Sequence, residues 1–324
     1  MLGNLYFGIC RVYLSARYAT VLSSREHPGA MIRDWFGSAL KHSVCPFPQH
    51  ECRDACQLPG GCAYSRLFQP TRAVVGASGR TGADIPRPFI IEPPLDEKSH
   101  YASGEMLAFN LVLVGMALSL FPFAVAALRD TARLGLMNVA DEMAPWRLDR
   151  IVQISHATSP DGMVLFSAAT PSLLEPLAAK SPAALHVESM RLPTDQLTLD
   201  LLTPLRLIVD EQFVQEIDTG ILCRALLRRI RLLSLTWCGA PLDHDYRHQI
   251  DEWCGRIQCQ GRGLVWEEWR RHSARRDKNL RIGGLRGEIT MSGDLTELRL
   301  CLKLGEYLHL GKDTVLGMGR YVCR

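Results

Sequence analysis

The C-terminal stretch from Leu304 to Tyr321 constrains this chain more than any other segment. An apolar, helix-like run ends at His309. A loop with glycines at 311, 317 and 319 follows, and a short β-like tail runs from Arg320 to Cys323. Glycines at this density let backbone N–H groups approach a ligand closely, and phosphate is the usual one. Lys312 and Arg320 flank the loop and would neutralise such a ligand. The spacing alone fits a plain tight turn equally well, so the rest of the chain decides.

At 324 residues the chain has room for two domains of ordinary size. Hydrophobic residues at 47% and charged residues at 22% match a soluble globular protein. Net charge is only +3, so any basic footprint for nucleic acid must be local. The first residues, Met1 to Tyr6, lack a basic segment followed by an apolar core and read as the start of a strand, not a signal peptide. Eleven cysteines then imply a reducing, cytoplasmic setting in which metal binding or plain burial outranks disulfides. One run, Ala108 to Leu128, has the length of a bilayer span. Asn110 stands near its start and Pro122 interrupts it. Phe109, Leu111 and Leu113 alternate as in a strand, while Phe123 to Leu128 is helical. The expectation is a buried strand followed by a buried helix, with no membrane.

Taken in order, Leu5 to Leu14 makes a plausible first strand. From Ala30 a helical pattern carries Ile32, Trp35, Phe36, Ala39, Leu40 and Val44 on its apolar side, with Arg33, Lys41 and His42 opposite. His27 lies just before it; Ser38 and His42, four apart, share a face. A cysteine-rich insertion over 45–62 follows: Cys45, Cys52, Cys56 and Cys62, separated by six, three and five residues. Four thiolates in so short a Pro- and Gly-containing segment suit a tetrahedral structural zinc site. An iron–sulfur cluster uses the same ligands, and unconnected thiols are the third possibility. Residues 74–88 read as a glycine-rich loop. Strands at Phe89–Ile91 and Leu107–Val114, a helix over Phe121–Leu136 and a strand at Arg150–Ile154 complete the order strand-helix-strand-strand-helix-strand, which is ferredoxin-like. Residues 160–185, rich in Ala, Pro and Ser, take no firm assignment.

A second unit begins near Gln196. One or two strands lead into a long amphipathic helix with Leu222, Leu226, Leu227, Ile230 and Leu233 on the apolar side and Arg224, Arg228 and Arg231 on the other. Those arginines read first as a solvated face. Residues 262–281 hold seven Lys or Arg against three acids, with Trp266 and Trp269 interleaved. Basic and aromatic side chains in one segment, including Arg270, Arg271, Arg275 and Arg276, suit backbone neutralisation plus base stacking; the alternative is a solvated charge run. A strand over Gly283–Thr290 and a helix over Leu295–His309 precede the glycine loop. The fold class is therefore α+β: two tandem ferredoxin-like domains, 1–190 with the cysteine insertion and 191–324 with the loop at 311–319.

The run GGLRGEITMSGDLTEL, followed by LKLGEYLHLGKDTVLGMGRY, closely resembles the C-terminal domain of the CRISPR repeat-processing endoribonucleases. These form the sixth family of CRISPR-associated proteins, within the RAMP superfamily. TPLRLIVDEQFV, WEEWRRHSARR and IRDWFGSALKHSVC look like blocks of the same family, so the resemblance covers nearly the whole chain. It implies an endoribonuclease that cuts precursor CRISPR RNA within repeats, without a catalytic metal, by attack of the ribose 2′-OH to leave a 2′,3′-cyclic phosphate. The alternative is a non-cleaving RAMP subunit that holds guide RNA in an effector complex. A zinc-stabilised protein of other function is the third reading. Repeat RNA is the implied partner, with other CRISPR-associated effector subunits beside it. Histidine is the natural base near neutral pH, and the family often carries one near the first helix. His42 ranks first, His309 second and His27 third. Arg33, Lys41 or Lys312 would stabilise the phosphate, and Gly311, Gly317, Gly319 and Arg320 would complete the RNA-binding loop.

Overall fold

The computed structural model describes residues 5–22, 27–48, 52, 61–71, 85–96, 98–130, 136–137, 142–239, 246–273 and 278–324. The described chain folds as two units, Phe7–Ala179 and Lys180–Arg324, the second also taking in Leu5 and Tyr6. Two-fold alternation explains the first strand, β1 (Phe7–Ala16). Cys10, Val12 and Leu14 are buried on one side, while Arg11 and Tyr13 are half-buried on the other.

Helix α1 (Pro28–Val44) starts with Pro28 at its first position, where the missing N–H costs nothing. It buries Ile32, Trp35, Phe36, Ala39 and Leu40, as the 3.6-residue pattern requires. Next come α2 (Ala63–Phe68), β2 (Phe89–Glu92), β3 (Met106–Val114), α3 (Phe121–Asp130), β4 (Trp146–Gln153), β5 (Val164–Ser167) and β6 (Thr170–Leu174). The sheet order is β6-β5-β4-β1-β3-β2, antiparallel throughout. The four strands β4-β1-β3-β2 have the ferredoxin-like arrangement, β5 and β6 extend the sheet beyond β4, and α1 packs against α3 and α2. The apolar run at 108–128 is a strand, a 3-10 turn and a helix with Pro122 in its first turn. Among the described residues no helix is long and apolar enough to cross a membrane.

The second unit contains α4 (Pro182–Met190), β7 (Gln196–Leu205), the small hairpin β8 (Ile208–Val209) and β9 (Gln212–Phe213), then α5 (Thr219–Trp237) and α6 (Tyr246–Arg256). A long hairpin, β10 (Ile257–Ser273) and β11 (Lys278–Gly293), precedes α7 (Arg299–Leu308) and β12 (Tyr321–Cys323). The main sheet is ordered β10-β11-β7-β12, again the ferredoxin-like arrangement. Leu222, Leu226, Leu227, Ile230 and Leu233 of α5 are all buried, and Arg224 and Arg228 are exposed.

Four boundaries differ from the sequence expectation. The helix expected to reach Leu136 ends at Asp130, and Leu136–Met137 pairs instead with Met143–Ala144. Residues 160–185 supply the β5–β6 hairpin and the start of α4. The last helix begins at Arg299, not Leu295, and ends at Leu308. The second unit starts at Lys180, not 191, because α4 belongs to α7. Tyr307 donates to Glu188 at 2.6 Å, Lys180 pairs with Glu188 at 2.7 Å, and Arg299 donates to the carbonyls of Met190 and Leu192.

Candidate nucleic-acid interface

The three candidate histidines occupy unlike environments. His42 is exposed on the last turn of α1, beside half-buried Lys41, and Ser38 is exposed one turn before it. Cations are favoured at this helix end by the partial negative charge of its carbonyls. The Lys41 ammonium lies 6.0 Å from the Tyr64 ring. Arg33, further back on α1, is committed differently: its guanidinium pairs with Asp34 and lies 4.9 Å over the Phe68 ring.

His27 is the N-cap of α1 and only 3% exposed. Its Nδ1 accepts the N–H of Gly29 at 3.2 Å, and burial pushes its pKa down to about 4. It is a capping residue inside the fold. His309 is fully buried, with φ +57, and its Nδ1 lies 3.1 Å from the Met318 carbonyl. With Nδ1–H donating, it ties the end of α7 to the far side of the glycine loop. An imidazole with no exposed surface does not reach an RNA backbone, so the catalytic expectation for His309 gives way to a positioning role.

The glycine loop is built for close packing. The N–H groups of Leu310, Lys312, Leu316, Gly317 and Gly319 donate to the carbonyls of Gly319, Arg206, Asp313, Thr314 and Pro204. Thr203 donates its hydroxyl to the Gly317 carbonyl at 2.7 Å and accepts the Arg320 N–H at 2.9 Å. Gly319, at φ +68, presses against the Leu310 carbonyl where a Cβ would collide. The same logic explains Gly305 in α7, whose missing Cβ leaves room for the Tyr321 hydroxyl as it donates to Leu302. Gly317, Gly319 and Arg320 are buried. The expectation of a phosphate cradle along the whole loop is therefore corrected. The loop reaches the surface at Gly311, Lys312 and Asp313 and again at half-buried Val315, and Lys312 is its one exposed residue.

Arg229 was not singled out from sequence, yet it secures this loop. From α5 its Nε and Nη2 donate to the Leu308 carbonyl at 3.1 and 3.0 Å, capping the C-terminus of α7. Burial lowers its pKa to about 10. The available signal was an arginine set within the apolar stripe Leu226, Ile230, Leu233. In the β10–β11 hairpin, Arg270 and Arg271 pair through their backbones with Arg281 and Leu280; Arg275 and Arg276 lie outside the described residues. Of the cysteine set, Cys56 lies outside them too. Cys45, Cys52 and Cys62 are half-buried, and among the described residues no three His, Cys, Asp or Glu converge to hold a metal ion.

Comparison with known families matches residues 199–321 to the CRISPR-associated endoribonuclease Cas6 and residues 5–177 to the N-terminal domain AF_1859_N. Residues 199–321 are a Cas6 endoribonuclease domain, and with the shared fold this makes the chain a Cas6-type CRISPR repeat-processing protein. Solved Cas6 structures share its fold. A Cas6 product complex aligns over 98% of this chain and 100% of that one, at 16% identity and a TM-score of 0.56. Thermus thermophilus Cas6 aligns over 99% of both, at 14% identity and a TM-score of 0.52. A partial Cas6-RT-Cas1–Cas2 complex aligns over all of this chain but 47% of its own, at 12% identity and a TM-score of 0.60. Comparison with curated proteins finds no match by sequence.

Proposed function

We propose that this Cas6-family enzyme cuts CRISPR repeat RNA with His42 as general base and Lys41 as the cation at the scissile phosphate. His42 takes the proton of the ribose 2′-OH, and the 2′-oxygen attacks phosphorus in line. The bond to the 5′-oxygen breaks, that oxygen takes a proton from water, and a 2′,3′-cyclic phosphate remains. The base contributes through proton transfer in the transition state and Lys41 through the charge that develops on the phosphate oxygens. The observation that carries this assignment is exposure. Of the three candidate histidines, His42 alone stands at the surface, with the Lys41 ammonium beside it. The steps use no metal ion.

The test is cleavage of a repeat RNA in EDTA by the wild type and by His42→Ala. The wild type is expected to release a 2′,3′-cyclic phosphate. The variant should cut roughly 100- to 10,000-fold more slowly with RNA affinity nearly unchanged. Wild-type cleavage by the variant would move the base elsewhere. Tight binding by the wild type with no cyclic product would favour a non-cleaving guide-RNA subunit.

A further inference from the structure

We propose that Arg206, Phe213 and Trp266 form a stacking platform for unpaired bases of the RNA, set against the surface edge of the glycine loop. The inference rests on the RNA-cutting reading above and adds a base-binding site to it.

Phe213, at the end of the small β8–β9 hairpin, is 45% exposed, and Trp266, on β10, is 37% exposed. Their ring centroids are 5.5 Å apart and tilted by 47°. Trp266 is seated where Gly283 of the paired strand leaves room, since a Cβ there would come within 2.7 Å of its Nε1. The Arg206 guanidinium lies 4.6 Å from the Phe213 centroid and is held by Asp313 at 3.0 Å. The Arg206 carbonyl accepts the Lys312 N–H at 2.9 Å, so the platform and the loop edge are one assembly. Ile208, paired with Phe213 across the small hairpin, is exposed as well. A cluster of exposed aromatic and aliphatic side chains on a folded domain marks a binding surface.

Charge identifies the occupant. In the sequence that follows Trp266, residues 270–281 hold six Lys or Arg against one Asp, Asp277. Lys312 is exposed on the other side. Asp313 and Glu267 are already matched to Arg206 and Arg286, while Asp210 and Glu211 stand exposed at the turn of the small hairpin. Aromatic rings beside a cationic track are what single-stranded RNA needs: bases stack while phosphates are neutralised. A duplex hides its base faces and would gain nothing from the rings.

The test measures binding of full-length protein to a labelled unpaired repeat oligoribonucleotide and to the same sequence as a duplex. Phe213→Ala and Trp266→Ala are each expected to weaken single-strand binding roughly 5- to 150-fold, with duplex binding unmoved. The salt dependence should keep its slope, because no cation is lost. Phe213→Leu, which keeps an apolar side chain without the ring, should behave like the alanine variant. Full affinity in both alanine variants, with wild type still binding and cutting RNA, would remove the platform and leave the function standing. A wild-type protein that binds no RNA would remove both. If wild type sediments as a dimer that Trp266→Ala dissociates, the patch is an interface between copies and the proposal is overturned.

Discussion

His27 offers a quantitative check on how this fold uses its histidines. The Gly29 N–H points at Nδ1, which leaves Nδ1 an acceptor and puts the proton of the neutral ring on Nε2. Protonating Nδ1 would face one donor with another and bury a charge at the positive end of a helix. Burial alone already pushes the folded pKa down to about 4, against 6.5 for an ordinary histidine. Between these values the unfolded chain carries a proton that the folded chain refuses. Stability from this residue is therefore complete above about pH 6.5, falls as pH drops through the window and levels off below about 4. The gap is 6.5 − 4 = 2.5 pKa units, and at about 1.4 kcal/mol per unit it corresponds to roughly 3 kcal/mol, of which about 2 is already lost at pH 5. His27→Asn isolates the term, because asparagine caps helices well and does not titrate. Urea unfolding of both proteins at pH 7.5, 5 and 4 reads it. The difference in stability, wild type minus variant, should shrink by about 2 kcal/mol at pH 5 and about 3 at pH 4. A pH-independent difference would refute the buried, neutral cap. The same variant should still cut RNA at pH 7; loss of cleavage in His27→Asn alongside an active His42→Ala would exchange the two roles.

The loop supplies the remaining predictions. Gly319→Ala drives a Cβ into the Leu310 carbonyl at φ +68, whereas Gly104→Ala meets nothing within 4 Å at φ +81. The first should cost about 3 kcal/mol or more and the second only about 1, by thermal or urea unfolding; equal losses would deny the close approach. Arg229→Met removes both donors from the Leu308 carbonyl and should cost about 2 kcal/mol. A more stable methionine variant would show that freeing the buried guanidinium outweighs its hydrogen bonds.

These tests turn on why some of the molecule was legible in the sequence and some was not. Both ferredoxin-like sheets were legible, because strand alternation and the apolar stripes of α1 and α5 are local signals that burial then obeys. Helix ends and the domain boundary were not. α4 looks unattached in sequence, and contacts from α7, such as the Tyr307 hydroxyl donating to Glu188 and Arg299 donating to the carbonyls of Met190 and Leu192, give it a home. The site divides in the same way. The arginine and tryptophan enrichment in β10 was visible as composition, but Phe213 joins it from fifty-three residues upstream (266 − 213) across a hairpin whose turn residues, Asp210 and Glu211, adopt positive φ without glycine. No turn motif announces that. The histidines show the sharper limit. His309 and His42 both lie within family-like blocks, so motif membership does not separate them and solvent exposure favours His42. A residue matched by its motif can be matched for packing. Here the motif's glycines, its threonine contact and its histidine all hold a loop in place, which leaves Lys312 exposed at its outer edge and Arg206 clamped by Asp313 over Phe213.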